Sequence, residues 1–444
     1  MKEFKFIDLF AGLGGFHRAL EMLGGTCVFA SELKADLQIL YKINFPNTPV
    51  FGDITKHIDD VPAHDVLCAG FPCQPFSQAG KRQGFNDDKD RGNLFNYICQ
   101  IIHNHKPKYV MLENVSNLRG HDGGNTWKVI QERLKFLGYD VKEQIISPHE
   151  FGIPQHRKRI YIVCQRTDLG SFDYFEFPKG NKGNECNIKS ILDELDTNVT
   201  PIKEETRNQL NVWQEFIDNT IANGDKLPGF PIWAMEFGAT YDFEGLCPAR
   251  QPMKNLVGKK GKLGVTISGK TKKDCIAKLP VYAQTDKDEI FPVWKIRYIQ
   301  QNREFYARHK KWLDKWLKKV KDFENSHLKI EWNCGNDVSP IIEDKIVQFR
   351  ASGIRIKLPT FSPALNLVGT QVPILPWVEI PGTDGQKGRY MTLKEAAALQ
   401  GMRDLKFQDD TFSLSLTRCY EALGNAVNVE VVQLIAKNLL KYGK

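Results

Sequence analysis

The chain has 444 residues, 41% of them hydrophobic and 26% charged, which suits a globular protein of two or three domains with a sizeable core. No apolar run approaches the ~20 residues of a membrane helix, and ten cysteines without a Cys-x-x-Cys pair suggest neither a metal site nor a disulfide framework. Sixty-one Lys and Arg against 53 Asp and Glu leave a net charge of +8, a mild excess that favours a polyanionic partner. Residues 1–6 lack the apolar core of a secretion signal and enter a strand almost at once, so a cytoplasmic location is expected.

Residues 5–10 alternate and then turn apolar, as a first strand should, and run into Phe10-Ala11-Gly12-Leu13-Gly14-Gly15-Phe16. The glycines allow a tight turn and close approach to a ligand. A helix over 16–23 follows, with Phe16, Ala19, Leu20 and Leu23 on one face. Strand, glycine-rich turn and helix make a nucleotide-type cofactor site. The dinucleotide fingerprint wants its third glycine where His17 stands, which argues against ordinary NAD binding. The next strand, 27–30, ends at Ser31-Glu32, where an acid can accept from ribose hydroxyls or serve only as a solvated carboxylate near a helix start. A helix over 34–44 leads to a third strand end with a second acid, Asp53, followed by Ile54. This alternation predicts an α/β fold with a doubly wound, mostly parallel sheet.

A short apolar run, 65–69, precedes Gly70-Phe71-Pro72-Cys73-Gln74-Pro75-Phe76-Ser77. Two prolines stiffen the turn that presents the thiol at a strand end, where open α/β sheets place their chemistry. Taken alone, the turn suits a bland buried thiol better. Residues 78–92 are polar, charged and without periodicity, and read as a lid beside that thiol. A helix near 93–105 leads to a strand over 109–112 that ends in Glu113-Asn114-Val115; Glu113 can face the Cys73 turn or cap a helix. A helix at 126–137 and a strand at 139–146 precede Pro154-Gln155-His156-Arg157-Lys158-Arg159 and a strand over 160–163. Arg157 and Arg159 alternate onto one face, either as an exposed basic strand start or as a pair of anion or carboxylate clamps.

From about residue 166 the strand–helix rhythm stops, and the stretch to 360 holds six of the eight tryptophans. It reads as a separate mixed domain, with boundaries placed at 1–180, 181–385 and 386–444. Residues 254–273 are rich in lysine and glycine, including Lys259, Lys260 and Lys262, a composition suited to loops that follow a phosphate backbone. Residues 303–324 read as a helix whose eight Lys and Arg against four acids cover the solvent side of a packed element. Thr392 and Glu395 form a capping box for an alanine-rich helix, and Gly424-Asn425-Ala426-Val427 opens a last helix through Leu440.

Taken in order, residues 8–15, 70–77, 113–115, 155–159, 389–400 and 424–427 resemble the DNA cytosine-5 methyltransferases of bacterial restriction–modification type. The resemblance spans about 1–165 and 385–440, and the intervening segment falls where that family keeps a variable target-recognition domain. It implies a Rossmann-like catalytic domain that binds S-adenosyl-L-methionine, with Phe10, Gly12, Leu13, Gly14 and Pro72 lining the cofactor. Glu32 would take its ribose and Asp53 with Ile54 its adenine, and Asn425 and Val427 would bring the last segment back to this site. Cys73 would be the nucleophile, Glu113 the group at cytosine nitrogen 3, and Arg157 and Arg159 its supports. Gln74, Ser77, Lys81 and Arg82 would contact DNA, together with Lys259, Lys260 and Lys262. One departure is visible: the family continues Leu-Gln-Gly with Phe-Pro, whereas Gly401 is followed here by Met402-Arg403.

The implied chemistry accounts for these groups. A thiolate adds to cytosine carbon 6, carbon 5 becomes an enamine carbon able to take a methyl group, and an acid at nitrogen 3 drains the developing charge. The target base must leave the stack, so duplex DNA is the implied partner of a monomeric, non-membrane enzyme, with a restriction endonuclease as functional counterpart. A tRNA cytosine-5 methyltransferase is disfavoured by the large middle segment, a silent DNA-binding relative by the intact Cys73, Glu113, Arg157 and Arg159, and a nicotinamide oxidoreductase by His17.

Overall fold

The computed structural model describes residues 3–72, 94–365 and 370–441. The chain forms two compact units: Met1–Asp196 with Thr360–Thr370 and Thr392–Lys444, and Thr197–Pro359 with Gln371–Met391.

The first unit is built on β1 (Phe4–Leu9), α1 (Gly15–Glu21), β2 (Gly25–Ser31), α2 (Ala35–Asn44), β3 (Val50–Phe51), β4 (Val66–Gly70), α3 (Leu94–His105), β5 (Tyr109–Val115), α4 (Asn125–Phe136), β6 (Tyr139–Ile146), β7 (Gln155–His156) and β8 (Arg159–Arg166). Seven strands form one sheet in the order β3-β2-β1-β4-β5-β8-β6. The first five are mutually parallel, and β8 runs antiparallel between β5 and β6. Parallel strands covered on both faces read as near-continuous apolar runs, and β4 is accordingly buried along Val66, Leu67, Cys68 and Ala69. The chain leaves β1 towards β2 on one side and returns to β4 on the other. Open α/β sheets bind their ligands at such a switch point, here outside the carboxyl ends of β1 and β4.

The second unit carries α5 (Glu204–Ala222), β9 (Ile232–Trp233), α6 (Met253–Leu256), α7 (Lys272–Ile276), α8 (Val293–Val320), β10 (Lys329–Asn333), β11 (Ile346–Arg350) and β12 (Gly353–Lys357). Next, β13 (Ser362–Pro363) pairs with β7 of the first unit's own fold, and the chain then adds β14 (Ile374–Glu379) and β15 (Lys387–Tyr390). The second unit's sheet runs β15-β14-β11-β12-β10-β9 and is mixed. Its core is aromatic: the Trp213 and Trp316 rings of α5 and α8 lie 5.0 Å apart, and both indole N–H groups donate to backbone carbonyls. The helix expected from residue 303 begins ten residues earlier, at Val293 behind Pro292, where proline suits a helix start.

The first unit is completed by α9 (Leu393–Ala398), α10 (Leu416–Asn425) and α11 (Val429–Leu440). Thr392 and Glu395 make the expected capping box. Gly424 to Val427 does not open the last helix: α10 ends at Asn425, and α11 starts after an Asn428 cap whose Oδ1 accepts from Val431 N–H at 3.0 Å. Residues 181–196 lie with the first unit, where Ile188 and Ile191 are buried and Asp193 N–H donates to Glu395 Oε1 at 3.1 Å. The change of unit therefore falls at Asp196, whereas composition placed it near 180. Met402 is fully buried and its N–H donates to Ala397 C=O at 2.9 Å, so the departure from Phe-Pro is absorbed inside the first unit. Among the described residues no helix is long and apolar enough to cross a membrane.

Candidate active site

The glycine-rich turn forms as the residue types require. Phe10, Gly12 and Gly14 all have positive φ, at 58°, 53° and 75°. At Gly14 an added Cβ would fall 2.3 Å from the Phe45 ring, so only glycine packs there. At Gly12 a Cβ would meet nothing nearer than 4.0 Å, which leaves the backbone open to a ligand. His17 is no phosphate-turn position: it is buried, its ring lies 3.8 Å from that of Phe45, and its Nδ1 is 2.6 Å from the Tyr41 hydroxyl. Burial, with Arg18 nearby, pushes its pKa down to about 3 and keeps the ring neutral.

Glu32 stands just past β2. One carboxylate oxygen accepts from Gly12 N–H at 3.0 Å and the other from Lys34 N–H at 2.9 Å. Each oxygen keeps acceptor capacity, so the group can hold the turn and still take hydroxyls of a ribose. Asp53 caps a short turn by accepting from Thr55 N–H at 3.0 Å, and Ile54 behind it is buried. An open glycine turn, an acid one strand over and an apolar residue after a third strand fit S-adenosyl-L-methionine, with Phe10, Leu13 and Pro72 at the same strand ends.

Gly70, the last residue of β4, is aligned with Glu113 of β5, and a Cβ on Gly70 would lie 3.9 Å from Glu113 Oε2. Glu113 is buried, and Arg159 Nε approaches its Oε1 at 3.0 Å. The two are diagonal neighbours across β5 and β8, because Val115 is paired with Arg159. Burial raises the Glu113 pKa, opposed by Arg159 and Arg157. The raised pKa favours the protonated carboxyl, the form that can donate to a ring nitrogen.

Arg157 does not mirror Arg159. Its guanidinium is buried and donates to Gly424 C=O at 2.8 Å and Ala426 C=O at 2.9 Å. Burial lowers its pKa to about 10, so it stays charged at neutral pH. It thereby secures the turn between α10 and α11. That turn sets Val427 so close to both glycines that a Cβ on Gly15 would lie 2.4 Å from Val427 O and one on Gly70 would lie 3.3 Å from the Val427 side chain. Asn425 Nδ2 donates back to Glu421 C=O at 2.9 Å. The sequence reading missed Asn114, which is buried and donates from Nδ2 to Phe71 C=O at 2.8 Å. It steadies the chain just past the end of β4. An amide directly after the buried acid was its only signal.

Cys73, Gln74, Ser77, Lys81 and Arg82, and the expected lid at 78–92, lie outside the described residues. The nine cysteines that are described are all buried. Lys260 and Lys262 line a concavity of the second unit, whereas Lys259 reaches towards Asp242 at 3.8 Å.

A glycine-rich turn at the switch point of a doubly wound sheet, with a buried acid one strand over, is the arrangement of a nucleotide-type cofactor site in an α/β protein. The profile of the family described as C-5 cytosine-specific DNA methylase matches residues 4–441. The chain is 31% identical to Type II methyltransferase M.AluI of Cellulosimicrobium cellulans, over 98% of this chain and 91% of that protein. It is 47% identical to M.HhaI of Haemophilus parahaemolyticus over 39% of this chain and 53% of that protein, and 43% identical to M.HaeII of Haemophilus aegyptius over 55% and 77%. The chain belongs to the C-5 cytosine-specific DNA methylases, and it is a DNA cytosine-5 methyltransferase that uses S-adenosyl-L-methionine.

Proposed function

We propose that the enzyme methylates a flipped-out cytosine within one specific duplex sequence, with Cys73 as nucleophile and Glu113 as the acid at nitrogen 3. The observation that carries this reading is the buried Glu113, its pKa raised by burial and its orientation held by Arg159, aligned with Gly70 three positions before Cys73. The Cys73 thiolate adds to carbon 6 while Glu113 donates to nitrogen 3. Bound S-adenosyl-L-methionine supplies the methyl group for carbon 5. A base then takes the carbon 5 proton, the electrons of that bond re-form the carbon 5–carbon 6 double bond and expel the Cys73 thiolate, and the nitrogen 3 proton returns to Glu113. Phe10, Gly12, Leu13, Gly14, Glu32, Asp53, Ile54, Pro72, Asn425 and Val427 hold the cofactor, and Arg157 acts on it through the 424–427 turn.

The second unit reads the recognition sequence, and Gln74, Ser77, Lys81, Arg82, Lys259, Lys260 and Lys262 contribute DNA contacts. The enzyme works as a monomer in the cytoplasm and protects DNA from a partner endonuclease, as the Type II names of its relatives suggest.

The test combines two measurements. Labelled methyl transfer is expected to duplex DNA and not to tRNA, and Cys73→Ser should abolish it by many orders of magnitude while cofactor and DNA still bind. Thiol titration of the native protein should then find one fast group that Cys73→Ser removes, because burial protects the other nine. Near-normal turnover in Cys73→Ser overturns the reading.

A further inference from the structure

The second unit has a concavity of about 570 Å³ between α8 and the turn after α6, lined by Lys260, Lys262, Lys278, Lys310, Lys318 and Lys321. The only acid among its lining residues is Asp314, already engaged by the Tyr306 hydroxyl at 2.6 Å and by Lys310. On α8 the lining positions 306, 310, 314, 317 and 318 recur at helical spacing and form one stripe, which Lys321, the cap of that helix, continues. The opposite wall depends on backbone set down tightly. Leu263 adopts φ 54°, a conformation that costs a non-glycine residue on the order of 1 kcal/mol. A Cβ on Gly238 would lie 3.1 Å from Gly264 Cα, and one on Gly261 would lie 2.2 Å from Lys278 O. Close backbone approach therefore sets two separate lysine-bearing loops against a third basic surface, and the surrounding packing offsets the cost at Leu263.

The geometry points to this concavity as a clamp for the phosphate backbone of duplex DNA, formed by Lys260, Lys262 and Lys278 on one wall and Lys310, Lys318 and Lys321 on the other. From 310 to 321 the helix rises about 16 Å, too long for a single phosphate and comparable with several successive phosphates of one strand. Solvated lysines act as point charges and match a backbone rather than base edges. Sequence alone left the α8 lysines as solvent cover; the fold brings three of them to the loops that carry Lys260 and Lys262. The inference rests on the reading that the second unit binds DNA, and assigns the residues that do so without regard to sequence.

The test uses the full-length enzyme and two matched double variants of α8: K318Q/K321Q in the clamp, and K311Q/K315Q, exposed positions outside its lining. Binding to a methylatable duplex and to an unrelated duplex is measured against salt concentration. The clamp variant should reduce the slope of log affinity against log salt by about two on both duplexes, since each phosphate neutralised by a lysine contributes about 0.9 to that slope. K311Q/K315Q should leave the slope as it is. Equal slope changes in both variants, or none in K318Q/K321Q, overturn the clamp. Tight binding of inorganic pyrophosphate that K318Q/K321Q abolishes, with DNA slopes unchanged, also overturns it in favour of a free polyanion. If the unaltered enzyme binds neither duplex, the reading of the second unit fails instead.

Discussion

Each unit buries one glutamate against one arginine at almost the same distance, Glu113–Arg159 at 3.0 Å and Glu236–Arg303 at 2.9 Å. The surroundings separate them. Glu236 is fully buried and also accepts from the Tyr241 and Tyr282 hydroxyls at 2.5 Å, while Arg303 lies over the Tyr241 ring at 4.4 Å. Glu113 sits at a strand end beside a glycine, with Arg159 in contact, Arg157 acting from further off, and a raised pKa. A saturated buried pair ties a core together; a buried carboxyl at a strand end with a raised pKa is the kind of group that function uses.

Glu113→Gln keeps the shape but cannot deliver a proton, and should slow methyl transfer by about 10²–10⁴-fold, with DNA affinity within about 1 kcal/mol. Because the Glu113 pKa is raised, the protonated form persists to higher pH, and transfer should fall as pH rises through the raised value. The variant should lack that limb. A pH profile with the same limb in Glu113→Gln removes Glu113 as the acid.

Arg303→Met tests the opposite member. Leaving Glu236 buried without its cation should cost about 3–5 kcal/mol of stability, read by denaturant unfolding. Adding Glu236→Gln should recover part of it. A loss below about 1 kcal/mol, the net worth of one ordinary hydrogen bond, would mean that the tyrosines alone satisfy the carboxylate.

Asn114→Ala sharpens the contrast at the open site. Removing the donor to Phe71 C=O should cost about 1–3 kcal/mol and lower kcat more than it raises KM, since the turn before Cys73 loosens. Unchanged kcat at equal stability would make Asn114 a packing residue only.

The smallest effect belongs to an ion pair that is half in solvent. Arg418 binds Asp36 through two nitrogens, at 2.6 and 3.1 Å, and this hydrogen-bonded pairing is the largest cause of the lowered Asp36 pKa. With Asp36 a third exposed, Asp36→Asn should cost less than about 1 kcal/mol at neutral pH. The sign follows from the depressed pKa. The contribution is full above the ordinary carboxylate value and fades as pH falls through the lowered one. A cost that grows on acidification would contradict it.

What the sequence by itself determined was local. The strand–glycine turn–helix of the cofactor crevice, the acid ending β2 and the capping box at Thr392 each depend on residues within a few positions, where dihedral preference and short-range hydrogen bonds decide. The helix α10 and its stop before Val427 escaped that reading, because the stop is held by Arg157, some 267 residues away in sequence. Tertiary structure alone decided that Arg157 grips carbonyls while Arg159 meets Glu113, since a shared strand face does not say what lies across from it. It alone gathered lysines of α8 with those of two loops, because charge repeats along a helix read the same whether they face water or one another. Spacing reports which side a residue is on; only the packed chain reports what it finds there.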